Sequence, residues 1–202
     1  MTEISRNVIQ KAFEFSVDLM TEMGEFVRAR SDGGFAIHRK ADGSLVTEVD
    51  LLVEREIRDR IRTRWPDHSI EGEEDGLESR SSEYRWLVDP IDGTMSFRHG
   101  VPLLGTILAL IWRNRSAVGV INLPGLRRCY SAGRGLGTHL NGRRLQLSDV
   151  AADEISGELM AVGDRQQFER AGLAGCFDAL MSAHSWVRTY TDCFGTRIGI
   201  KQ

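Results

Sequence analysis

The stretch that most restricts this chain is Trp86-Leu87-Val88-Asp89-Pro90-Ile91-Asp92-Gly93-Thr94. Three apolar residues suited to an interior lead straight into two aspartates three apart, with a proline between them. A carboxylate carried inside without a partner is strongly unfavourable, and two side by side also repel. A basic side chain, a metal ion or the water of an exposed turn must answer that charge. Pro90 fixes φ and Gly93 permits a sharp turn, so both aspartates can aim at one point.

Upstream, Glu73 and Glu74 sit in a glycine-bounded loop between Gly72 and Gly76. Hard oxygen donors with no His or Cys beside them favour Mg2+ over Zn2+. A shared carboxylate can bridge two cations about 4 Å apart, the clamp used in phosphoryl transfer. Gly93 and Thr94 add backbone N–H groups and a hydroxyl for an anion, provided a helix begins there. The bland alternative, a solvated turn and a charged loop, accounts for DxxDG alone but poorly for GEE, an apolar strand and DPIDGT together. An EF-hand loop fits badly, because it needs acidic ligands at alternate positions and no proline after the first.

Composition narrows the class. The 202 residues are 41% hydrophobic and 27% charged with a net charge of −3, as in a globular protein of one large or two small domains. No basic stripe supports a nucleic-acid or membrane partner. Cys129, Cys176 and Cys193 lack metal-ligand spacing and read as reduced thiols of a cytoplasmic protein. The N-terminus has no signal-peptide pattern, and the longest apolar run, VPLLGTILALIW, is too short to span a bilayer.

Apolar residues at Ile4, Val8, Ala12, Phe15, Leu19, Met23 and Phe26 recur at helical spacing and predict a first helix. Thr47 and Asp50 have capping-box spacing ahead of a second stripe, Val53, Ile57, Ile61 and Trp65, which Pro66 stops. After residue 100 the pattern turns extended: Gly105 to Trp112, Ala117 to Ile121 and Cys129 to Ala132, with Asn141-Gly142 marking a hairpin. GRGLG, Gly133 to Gly137, lacks the phosphate-loop spacing and reads as turn glycine. A third helix is expected from Gln166 to Met181 and a strand near Trp186 to Thr189. The sum is α+β, an antiparallel meander layered with helices.

KADGSLVTEVD (40–50), EGEE (71–74) and WLVDPIDGTMSF (86–97) together resemble the inositol monophosphatase superfamily, and YSAGRGLGTHLNG and VRTYTDCFG look like further family segments. The resemblance runs over nearly the whole chain. It implies one domain over 1–202, a layered α/β/α(/β/α) sugar-phosphatase-like fold with a large antiparallel sheet, and two or three Mg2+ per site. It also implies roles. Glu73 and Asp89 would bind the first metal with the Ile91 carbonyl, Asp89 bridging to a second held by Asp92. Gly93 and Thr94 would bind phosphate, and Asp50 with Thr94 would orient and deprotonate the attacking water. The reaction would be direct attack of metal-activated water on a phosphomonoester. A homodimer is an expectation of the likeness alone.

VRTYTDCFG is similar to the RTYGDCYG type of motif in the branch that hydrolyses histidinol phosphate, placing that step in histidine biosynthesis. Asp192 would there meet an aminated substrate, unless it only caps a helix. Inositol phosphates are the main competing substrates; sugar bisphosphates and phosphoadenosine compounds fit less well. Family members continue into a WDxAAG-like motif whose aspartate is a ligand of the second metal. Here the sequence closes GTRIGIKQ with no Asp or Glu after Asp192. The expectation is therefore a fold lacking the family's C-terminal portion and a second metal site short of one ligand. A metal-binding subunit without catalysis is the alternative.

Overall fold

A computed structural model describes residues 4–31, 33–40, 45–146 and 159–190. Its centre is an eight-stranded sheet ordered β10-β9-β8-β7-β6-β5-β3-β4. The strands are β3 (Ser69–Gly72), β4 (Gly76–Glu78), β5 (Tyr84–Asp92), β6 (Gly105–Trp112), β7 (Arg115–Leu123), β8 (Arg128–Gly133), β9 (Gly137–Leu140) and β10 (Arg143–Leu145). The meander from β5 to β10 is antiparallel, as its alternating pattern and its Asn141-Gly142 turn predict. The sheet is nevertheless mixed: β3 runs parallel to β5. The loop expected at Glu73 and Glu74 is the turn of a hairpin, β3 and β4, whose strands are too short and polar to announce themselves.

Helices α1 (Arg6–Arg28) and α2 (Glu48–Arg64) lie on one face of this sheet, α1 against β6, β7 and β8 and α2 against β5. Trp86, Val88, Leu108, Leu110, Val118 and Val120 point into that layer, all 5% exposed or less. Trp86 is enclosed by Phe15 and Trp65, with ring centroids 5.9 and 5.1 Å away, and its indole N–H donates to His68 Nδ1 at 3.0 Å. Burial pushes the His68 imidazole down to about 4, so it stays neutral and able to accept. The buried face of α1 is turned slightly from the expected stripe. Ile9, Ser16, Met20 and Val27 join Ala12, Leu19 and Met23, while Val8, Phe15 and Phe26 flank them half-buried.

Gly24 explains the turn of that face. A Cβ there would sit 1.7 Å from Asn122 Nδ2, which donates to the Met20 carbonyl at 2.8 Å. The helix can thus lie directly on β7. Gly24→Ala should cost about 1–3 kcal/mol through overpacking, visible as a lower Tm in calorimetry. Adding Asn122→Ala should return part of the loss.

Hairpin strands β1 (Ile37–Arg39) and β2 (Leu45–Thr47) deliver the chain into α2. Beyond β10, β11 (Leu159–Gly163) pairs in parallel with β12 (Trp186–Tyr190). The expected single helix between them is two, α4 (Arg165–Arg170) and α5 (Ala174–Ala183). Gly172, at φ +71°, takes a left-handed conformation that a continuing helix cannot hold. Among the described residues no helix is long and apolar enough to cross a membrane.

Candidate active site

The parallel pairing of β3 and β5 brings the two acidic motifs together. Gly72 is in register with Val88, and the Glu73 N–H donates to the Val88 carbonyl at 3.1 Å. Glu73 therefore stands beside Asp89. Contrary to the expectation that Asp89 and Asp92 follow a strand, both lie within β5, separated by a bulge where its register to β6 shifts. Pro90, which cannot donate to a ladder, sits in that bulge. The irregularity lets two aspartates three apart serve one region.

Asp89 bears the consequence. Burial, then the nearby charges of Glu73 and Asp92, and more weakly Asp50, push its carboxyl up to about 8. Its Oδ1 is sealed from solvent and has no hydrogen-bond partner. Ile91 is 1% exposed, and its carbonyl lies 3.3 Å from Thr94 Oγ1, an alternative acceptor for the one hydroxyl proton that can also go to Asp50. Gly93 takes φ +101° and opens α3 (Thr94–Arg98), so the expected helix after Asp92 exists as a five-residue turn.

Asp50 arrives from α2. The capping box read from sequence is present: Asp50 N donates to Thr47 Oγ1 at 3.3 Å, and Thr47 N donates to Asp50 Oδ2 at 2.8 Å. The Thr47 hydroxyl also donates to Oδ2. Oδ1 is turned the other way and receives the Thr94 hydroxyl at 3.4 Å. Asp50 is 1% exposed, and burial raises its pKa against those hydrogen bonds. One carboxylate thus caps a helix and partners Thr94.

Three further charged residues meet the site, and no sequence motif gave any of them a role. Lys40 donates to Glu73 Oε1 at 3.3 Å and to the Glu74 carboxylate at 2.8 Å. Burial works against the Lys40 charge, but those two glutamates raise its pKa overall. Glu54 and Arg58 are buried on α2 behind the Glu73–Glu74 turn. Their i, i+4 spacing was visible, but such pairs ordinarily face water. Asp192, expected to contact substrate, lies outside the described residues.

Among the described residues, no three His, Cys, Asp or Glu side chains already stand gathered as a metal centre. The donor set still suits a hard cation: all its charged members are carboxylates, one buried oxygen is unpartnered, and the mutual repulsion is relieved by positive charge.

Fold and site together define a layered α+β protein whose acidic residues meet at the end of a bulged central strand. The model of the Inositol monophosphatase family matches residues 9–194. A protein described as histidinol-phosphatase from Chlorobaculum parvum is 36% identical over 159 residues, covering 79% of this chain and 61% of its own length. A fructose-1,6-bisphosphatase/inositol-1-monophosphatase from Aquifex aeolicus is 36% identical over 113 residues, 56% of this chain and 43% of that protein. Among solved structures, a Thermotoga maritima IMPase superposes with a TM-score of 0.78 at 26% identity, covering 90% of this chain and 69% of the other. The chain belongs to the inositol monophosphatase family. It spans about 61% of the length of the Chlorobaculum relative.

Proposed function

We propose that this chain carries a Mg2+-dependent phosphomonoesterase site acting on a small phosphorylated metabolite, with histidinol phosphate as its substrate. The observation that carries the reading is Asp89: half-buried, with one sealed oxygen unpartnered, and with the charges of Glu73, Asp92 and Asp50 adding to desolvation to push its carboxyl up to about 8. A structural core gains nothing from such crowding, whereas a cation site needs it.

Glu73, Asp89, Asp92 and the Ile91 carbonyl would hold the metal. When bound, it would supply the charge that acidifies water and stabilises a leaving alkoxide. The rest falls to side chains. The Thr94 hydroxyl donates to Asp50 Oδ1 and keeps lone pairs for a water proton, so a proton taken by Thr94 can pass to Asp50. Burial raises the Asp50 pKa, which strengthens its grip on that proton. Gly93, with no Cβ and a left-handed backbone, leaves room for a phosphoryl group to approach the turn.

Similarity to the Chlorobaculum histidinol-phosphatase and the VRTYTDCFG segment support histidinol phosphate over inositol phosphates. Asp192 would pair there with the substrate's ammonium. Phosphate release at saturating Mg2+ should give a higher kcat/KM on histidinol phosphate than on inositol 1-phosphate. The opposite order would transfer the assignment to inositol phosphates. Stoichiometric cation binding without turnover on either would leave a metal-binding subunit with no catalysis of its own.

A further inference from the structure

The face of α2 that carries Asp50 also carries Glu54 and Arg58, one and two turns on. They are 0% and 2% exposed. Glu54 commits both oxygens: Oε2 accepts from Glu74 N at 2.8 Å, and Oε1 from Asp75 N at 3.0 Å and Arg58 Nε at 2.9 Å. Arg58 Nη2 in turn donates to the Gly76 carbonyl at 2.5 Å. The pair therefore grips the turn from Glu74 to Gly76 by two amides and a carbonyl. Glu73 begins that turn.

The fit leaves no slack. Gly72 passes so close that a Cβ there would lie 2.0 Å from Glu54 Oε1. Stability alone accounts poorly for the arrangement, because a buried Glu–Arg pair is often matched or bettered by apolar side chains of similar size. What it does provide is order. A carboxylate ligand on a loose turn must be immobilised at each binding event, whereas one on a turn already fixed at its backbone need not be.

We infer that Glu54 is a positioning residue for cation binding: by holding the Glu74 and Asp75 amides it fixes Glu73 beside Asp89 and sets the affinity of the site for a divalent cation. The inference rests on the cation-dependent reading above. Glu54 acts through Glu73, and Arg58 completes the grip from the far end of the turn. Hydrogen-bond partners that orient a ligand typically change metal affinity by about 10- to 100-fold when replaced.

The test is Mn2+ binding, followed by calorimetry and by the paramagnetic signal of free Mn2+, in wild type and Glu54→Gln. The variant keeps the side chain's shape but loses its charge and one acceptor. It should bind Mn2+ about 10- to 100-fold more weakly. It should also need correspondingly more Mg2+ for half-maximal phosphate release, with kcat at saturating Mg2+ close to wild type. Unchanged Mn2+ affinity in folded Glu54→Gln overturns the inference and leaves the phosphatase reading standing. Failure of wild type to bind Mn2+ overturns that reading and this inference with it. Should Glu54→Gln not fold, amide exchange in cation-free wild type decides. Slow exchange at Glu74 and Asp75, little changed by Mg2+, supports a pre-ordered turn; exchange at open-loop rates overturns it.

Discussion

Asp89→Asn should lower phosphate release by about 10³-fold or more while leaving the cation-free chain at least as stable as wild type. The loss follows from removing the carboxylate that Glu73 and Asp92 flank, since several kcal/mol of charge stabilisation depend on a cation held there. The stability result follows from the same crowding. Folded Asp89 keeps its proton to about 8, whereas the ordinary carboxyl releases it near 3.8. Between those values the folded chain binds more protons than the unfolded one, so its stability falls as the pH rises. Asparagine is neutral throughout and should flatten that part of the profile. Thermal melts of both proteins from pH 4 to 8, without divalent cations, check the point. A variant with wild-type turnover, or a wild-type profile no steeper than the variant's, would contradict it.

Asp50→Asn should separate catalysis from cation binding. An amide can still offer its oxygen to Thr47 and preserve much of the helix cap, but it then turns an N–H toward Thr94 in place of Oδ1. The proton acceptor is lost while Glu73, Asp89 and Asp92 remain. Removing a general base of this kind costs about 10²- to 10⁴-fold in rate, so kcat should fall by that much with Mn2+ affinity near wild type. A variant with intact kcat would assign Asp50 to the cap alone. One that lost Mn2+ binding in parallel would place it among the ligands.

These two aspartates also show what a lone sequence makes legible. The capping box of Asp50 was readable because a cap is local: Thr47 and Asp50 are three residues apart, and a helical stripe follows. The meander was readable for a similar reason, its turns announced by Asn141-Gly142 and its strands by alternation. The parallel register of Gly72 with Val88 was not, since it depends on residues well apart in sequence and on a β3 only four residues long. The resemblance to a family supplied the convergence of Glu73 with Asp89 that periodicity could not.

Charged side chains turned inward were less legible: Glu54 and Arg58 are buried and Lys40 is half-buried. Lys40, Glu54 and Arg58 carry ordinary surface composition, and only the tertiary structure shows them turned inward on a backbone turn or an acidic neighbour. The split between α4 and α5 could have been read from Gly172, whose left-handed backbone ends the first of them. For Lys40, Glu54 and Arg58, by contrast, a partner distant in sequence decided where the side chain went.

Whether the Glu73, Asp89 and Asp92 oxygens hold a cation is decided by an anomalous difference map from crystals soaked in Mn2+ and phosphate. Manganese is expected against Asp89, with Glu73 and Asp92 among its ligands and phosphate at the Gly93–Thr94 turn. A map with no metal at these oxygens, at concentrations that saturate binding in solution, and with Lys40 still seated on Glu73, would contradict it.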